Sequence, residues 1–253
     1  MGKARFIRRV VAVAITLALT SLSVSAAEKF VSFDKGDKML CKKGETFGIV
    51  VSDKDNIAVK IAAKNLANDL KAVIDANAEI ISEKSAESAR IVIGTVGRSS
   101  VIDALVKEGK IDGKELRGKI EKYIITLCDG NLVIAGSDRR GTVYGIYEVS
   151  RQIGVSPWYY WMDVPVKKQN TIYINRGVFT DGEPAVRYRG IFLNDEAPCL
   201  TTWVKNTFKT NFGGHEFYAK VFELILRLKG NYIWPAMWSW AFYADDPLNM
   251  KTA

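Results

Sequence analysis

RYRGIFLND (187–195), EFYAKVFELILRLKG (216–230) and NYIWPAMW (231–238) read in order as strand, helix and strand. The helix is amphipathic: Phe217, Val221, Leu224, Ile225 and Leu228 repeat on one face, and Gly230 reads as its C′ residue. TTWVKNTFKTNFGG (201–214) reads as the connection into it. Two strands joined through a crossover helix are parallel neighbours. Parallel strands bring their C-terminal ends to one side, so Asn194 and Asp195 at the end of the first strand should lie near Trp238 at the end of the second. An amide, a carboxylate and an indole converging there suit a polyhydroxylated ring: polar groups bond the hydroxyls and the indole stacks. The plain alternative is a capped strand end beside a core tryptophan.

Upstream the pattern changes. TFGIVV (46–51) reads as a strand, and SDKD (52–55) offers N-cap residues for a long helix over 56–76. Val59, Ala62, Ala63, Leu66, Leu70, Val73 and Ile74 form its apolar face. Short strands are expected at 77–82 and at RIVIGTV (90–96). A hairpin is expected in KYIITLCDGNLVIAGS (122–137) around Asp129-Gly130, then a helix over 139–153 and a closing strand at TIYIN (171–175). The G-x-x-G in GTVGRS lacks the full dinucleotide fingerprint and reads as a tight turn. Residues 28–180 are therefore expected to form a small mixed α/β domain. PWYYWMDVP (157–165) gathers Trp158, Tyr159, Tyr160 and Trp161 at its boundary, for packing between units or for stacking on sugars.

The 253 residues open with a basic segment (Lys3, Arg5, Arg8, Arg9), an apolar run (VVAVAITLAL) and small residues with a Val24-x-Ala26 spacing. This is the pattern of a secretory signal over residues 1–27; its apolar run is shorter than the roughly 20 residues a bilayer span needs. The expectation is export to the periplasm or outside the cell, with no membrane attachment after signal removal. The formal charge of +8 less those four basic residues leaves +4, and no basic stripe interleaved with aromatics points to nucleic acid. Three widely spaced cysteines, Cys41, Cys128 and Cys199, give neither a disulfide framework nor a metal site. His215 is the single histidine, so acid–base chemistry falls to carboxylates or tyrosines; it reads as a cap or loop residue, as do Asp245 and Asp246 before Pro247. Arg187 and Arg189 sit at the opposite end of the strand from Asn194 and read as ion-pair formers. Glu196 points away from Asp195 by strand alternation and ranks second to it.

RYRGIFLNDEAP, then FYAKVFELILRLKGNYIWPAMWSWAF and DDPLN, closely resembles the start of the catalytic barrel of glycoside hydrolase family 115, the xylan α-glucuronidases. The upstream domain resembles the one that precedes the barrel there, and is similar to the leading domains of family 67 α-glucuronidases and family 20 hexosaminidases. The resemblance implies an incomplete (β/α)8 TIM barrel beginning at residue 181, of which 181–253 supplies the first βα units of a fold that takes about 250 residues. It implies an inverting hydrolase that releases α-1,2-linked (4-O-methyl)glucuronic acid from glucuronoxylan or a glucuronic-acid-bearing oligosaccharide, with no cofactor. In this reading Asn194, Asp195 and Trp238 bind the sugar, and Asp195 bonds a hydroxyl or helps place the water. The general acid belongs to a later strand outside this chain, which is then the N-terminal portion of a longer enzyme, inactive alone, with a homodimer as one arrangement of the full-length protein. Two other readings stand beside it: a hexosaminidase-like glycosidase sharing the leading domain, and a non-catalytic carbohydrate-binding or docking module.

Overall fold

Ile49, Ile91, Ile93, Leu132 and Ile134 face one buried layer, while Val50, Val92, Val133 and Ala135 face another. Side chains alternate along a strand, so a sheet apolar on both alternations must be covered on both faces. The computed structural model describes residues 29–84, 89–235, 237, 238 and 240–253. The leader expected over 1–27 lies outside the described residues.

The strands of this central sheet are β3 (Thr46–Val51), β4 (Asn77–Ile81), β5 (Ala89–Thr95), β6 (Tyr123–Cys128), β7 (Asn131–Gly136) and β9 (Val178–Phe179). They lie in the order β4-β3-β5-β7-β6-β9. β3 pairs parallel with β4 and β5, β5 pairs parallel with β7, and β6 pairs antiparallel with β7 and β9. Helices α1 (Ile57–Ile74) and α3 (Arg139–Gln152) cover one face and α2 (Ser100–Lys107) the other. Each fully buried Ile or Leu on these faces contributes about 1.5–3 kcal/mol relative to exposure. The β6–β7 turn places Asp129 at φ 50° and Gly130 at φ 81°, the two left-handed positions of a type I′ hairpin.

The strand over Thr171–Ile174 (β8) does not close this sheet, contrary to the sequence expectation. It sits between β1 (Val31–Ser32) and β2 (Lys38–Lys42) in a separate antiparallel sheet of three. Its partners are short strands of weak apolar pattern, and the antiparallel edge of the main sheet is taken by Val178 and Phe179 instead.

Beyond residue 181, β10 (Gly190–Leu193) pairs parallel with β11 (Tyr232–Pro235), as the βαβ pattern predicts. Between them lie α4 (Cys199–Phe208) and α5 (His215–Arg227); α6 (Phe242–Asp245) and α7 (Leu248–Thr252) follow. Part of the stretch expected as a plain connection is thus helical. α4 is held by tertiary burial of Val204, with Leu200 and Phe208 packed on the cluster around Phe217. α5 ends in a Schellman turn: Lys229 N–H donates to Leu226 O and Gly230 N–H to Ile225 O. The left-handed residue at C′ is Lys229 (φ 58°), not Gly230. Gly230 is needed for another reason, since a Cβ there would stand 3.0 Å from Arg189 O and 2.8 Å from Ile225.

Buried polar contacts join the two stretches. Arg227 donates to both carboxylate oxygens of Asp69 (2.9 and 3.2 Å) and stacks over Tyr147 and Tyr159. The Lys229 ammonium bonds Glu148 (2.8 Å) and pairs with Asp181, which offsets the cost of its left-handed backbone. Arg189 pairs with the buried Glu121 at 2.5 Å, as an ion-pair reading of that arginine requires. The aromatic stretch is largely consumed in the same seam. Trp161 packs on Trp203 and Phe217, Tyr159 donates to Glu223, and Tyr160 lies under the Lys220 ammonium. Of the four, Trp158 alone is exposed, at 40%.

Candidate active site

The register Leu193↔Pro235 puts the C-terminal ends of β10 and β11 side by side. Sequence alternation then sorts their side chains. Tyr188, Phe192, Tyr232 and Trp234 stand on the exposed face, with Phe192 and Trp234 in edge-to-face contact at 5.9 Å. Leu193 and Ile233 turn the other way and pack on the α5 core of Phe217, Tyr218, Val221 and Ile225.

The three site residues lie at this edge, but not in the same manner. Both ladders stop short of them. β10 ends at Leu193, where Asn194 Oδ1 accepts the Glu196 N–H at 3.2 Å in an Asx turn. β11 ends at Pro235, three residues before Trp238. The expected strand to 238 is therefore too long: proline has no N–H with which to continue the ladder. Asn194 is exposed, and Trp238 is 79% exposed in the bend that follows β11. Asp195 is buried at 1% exposure, and its Oδ2 accepts the backbone N–H of Trp240 at 3.0 Å. Glu196 is exposed, and like Asp195 it lies past the end of β10, where strand alternation no longer applies.

The chain from Trp240 onward is held from several sides. The Trp240 ring is buried against Phe217, and its Nε1–H donates to Asn211 O at 3.0 Å. Asp245 accepts the Ala241 N–H, and the buried Asn249 donates to Gly213 O and Phe242 O. Burial, followed by the charges of Asp195 and Asp245, pushes the Tyr218 hydroxyl up to about 12, so it stays protonated. His215 opens α5, and both its backbone N–H and its Nδ1 bond Asp246 Oδ2 (2.9 and 2.7 Å). Those bonds and the Leu248 N–H hold the Asp246 carboxyl down at about 2. The capping reading of Asp246 fits this geometry, whereas His215 is the first residue of α5 and is itself capped. Asp246 caps α5 from 31 residues away, and Trp240, Asn211 and Asn249 carry no sequence signal that singles them out.

Cys41 and Cys128 are buried with free thiols, Cys41 pushed up to about 12 by burial, and Cys199 is exposed at the start of α4. Among the described residues no group of three or more His, Cys, Asp or Glu could hold a metal ion, and no helix is long and apolar enough to cross a membrane.

Two family descriptions match the chain: glycosyl hydrolase family 67 N-terminus over residues 34–149 and glycosyl hydrolase family 115 over 181–253. A search of curated proteins gave no match. Among solved structures, BtGH115A, described as a family 115 4-O-methyl-α-glucuronidase with specificity for decorated arabinogalactans, is 33% identical over 86% of this chain, with a TM-score of 0.77. The chain spans 28% of that protein's length. More distant likenesses are a Streptomyces plicatus β-hexosaminidase (13% identity, TM-score 0.48, 83% of this chain and 32% of that one) and CpGH84D (10%, 0.47, 81% and 35%). Residues 181–253 thus match glycoside hydrolase family 115, and the chain is similar over 86% of its length to a structure described as a member of that family.

Proposed function

We propose that the protein carrying this chain is an exported α-glucuronidase that removes α-1,2-linked (4-O-methyl)glucuronic acid from glucuronoxylan. The observation that carries the reading is that Asn194 and Trp238 are both exposed just beyond the C-terminal ends of two paired parallel strands, within the stretch that matches the family. In this account residues 1–27 are a secretory signal, 28–180 the leading α/β domain and 181–253 the start of a TIM barrel. Active sites of such barrels lie at the C-terminal ends of the strands. Asn194 bonds sugar hydroxyls and Trp238 stacks on a pyranose face; Asp195 supports the site from beneath. Cleavage is inverting: one carboxylic acid protonates the leaving oxygen while a second carboxylate activates water, the two about 6.5–9.5 Å apart. The general acid lies on a later strand of the longer protein, which works without a cofactor and has a homodimer as one arrangement.

The described relative acts on decorated arabinogalactans, so that polymer is the second substrate to try. The test is a substrate panel given to the protein at its full natural length: glucuronoxylan, glucuronic-acid-decorated arabinogalactan and chito-oligosaccharides. Release of a uronic acid from one of the first two supports the reading. Release of N-acetylglucosamine alone would replace it with the hexosaminidase-like alternative, and xylan binding without turnover with the docking module.

A further inference from the structure

We infer that Asp195 is a positioning residue, which fixes the loop presenting Trp238 and does not itself touch the sugar. The inference rests on the glycosidase reading above for its kinetic arm only. Three observations carry it. Asp195 is 1% exposed, while its neighbours Asn194 and Glu196 are exposed. It lies two residues past Leu193, which with Ile233 packs on the α5 core, while Phe192 and Trp234 face outward. Its Oδ2 accepts the N–H of Trp240, two residues past Trp238.

Trp240 completes the device. Its indole is buried against Phe217 and close to Gly213, and its ring N–H is held by Asn211 O. The loop after β11 is thus tied at one residue by a carboxylate from the end of β10 and by a buried ring. Two positions earlier it projects an indole that is 79% exposed. An exposed aromatic on a pinned backbone loses little conformational freedom when a sugar stacks on it. A shift of about 1 Å in such a group costs about a hundredfold in rate.

A double-mutant cycle in the protein at its full natural length separates positioning from direct contact. Asp195→Ala is expected to lower kcat/KM by about a hundredfold. Placed on Trp238→Ala, it is expected to add no more than about a twofold loss, because its effect runs through that indole. Asp195→Asn keeps an oxygen to accept the Trp240 N–H, so it should fall less than Asp195→Ala. Losses that multiply in the double variant, or an Asp195→Asn protein as impaired in kcat as Asp195→Ala, would overturn the inference. Hydrogen exchange over residues 236–241 gives a readout independent of activity. It should quicken in Asp195→Ala and, to a smaller extent, in Asp195→Asn; unchanged exchange in both also overturns the inference. If the wild type releases no uronic acid from any glycan, the glycosidase reading fails while the exchange result still decides this one.

Discussion

Replacing Arg227 by methionine tests how the two stretches of the chain are held together. Arg227 and Asp69 are 158 positions apart in sequence, and their side chains are 3% and 8% exposed. Taking about 4 Å between charge centres and an effective dielectric near 20, their attraction is about 4 kcal/mol. Much of that offsets the desolvation of the two charges, so the pair adds little net stability over an apolar pair of equal volume. Removing one partner is a different matter, because it strands a buried carboxylate. Arg227→Met should therefore lose about 3–5 kcal/mol. The stacking of the guanidinium over Tyr147 and Tyr159, at 4.6 and 5.0 Å, is lost with it. Arg227 Nε also donates to Glu223 at 2.8 Å, and Asp69→Leu combined with Arg227→Met should recover most of the loss, since Glu223 keeps its bond from Tyr159. Urea unfolding followed by tryptophan fluorescence measures both. A single variant that loses less than about 1 kcal/mol, or a double variant less stable than the single, would refute the reasoning.

Trp238→Ala should abolish detectable glucuronic acid binding in calorimetry and leave the melting temperature unchanged, because the indole is 79% exposed. The Asp246 carboxyl is lowered in the folded state from 3.8 to about 2. A depressed carboxylate stabilises above its unfolded pKa, and the contribution disappears as pH falls through the folded value. The stability difference between wild type and Asp246→Asn should therefore be full above pH 4 and gone near pH 2, by thermal melts across that range. Lys209 ends α4 in the left-handed region at φ 60°. Lys209→Gly should stabilise by about 0.5–1 kcal/mol in denaturant melts.

Much of the α/β architecture was legible in local periodicity. The face of Val59, Ala62, Leu66, Leu70 and Val73 could only be a buried helix, and Asp129-Gly130 between apolar runs could only be a tight turn. The parallel pairing of β10 and β11 followed from their amphipathic crossover. What was not legible was held by distant residues. α4 contains Thr201, Thr202 and Val204, poor helix formers by propensity, and is held through burial on a helix that follows it. β8 could be recognised as a strand but not assigned to its sheet, because its partners β1 and β2 lie more than a hundred residues before it. At the candidate site, sequence placed Asn194, Asp195 and Trp238 at the ends of two parallel strands; in the structure all three lie beyond those ends. Sequence could not say that Asp195 turns inward, since the N–H that it accepts belongs to a residue 45 positions later.

The most direct measurement is a proton NMR time course of glucuronoxylan incubated with the protein at its full natural length. The account predicts loss of the α-linked uronic acid signal and appearance of free (4-O-methyl)glucuronic acid, first as the β-anomer. A polymer that keeps its uronic acid signal, or a product that appears first as the α-anomer, would contradict it.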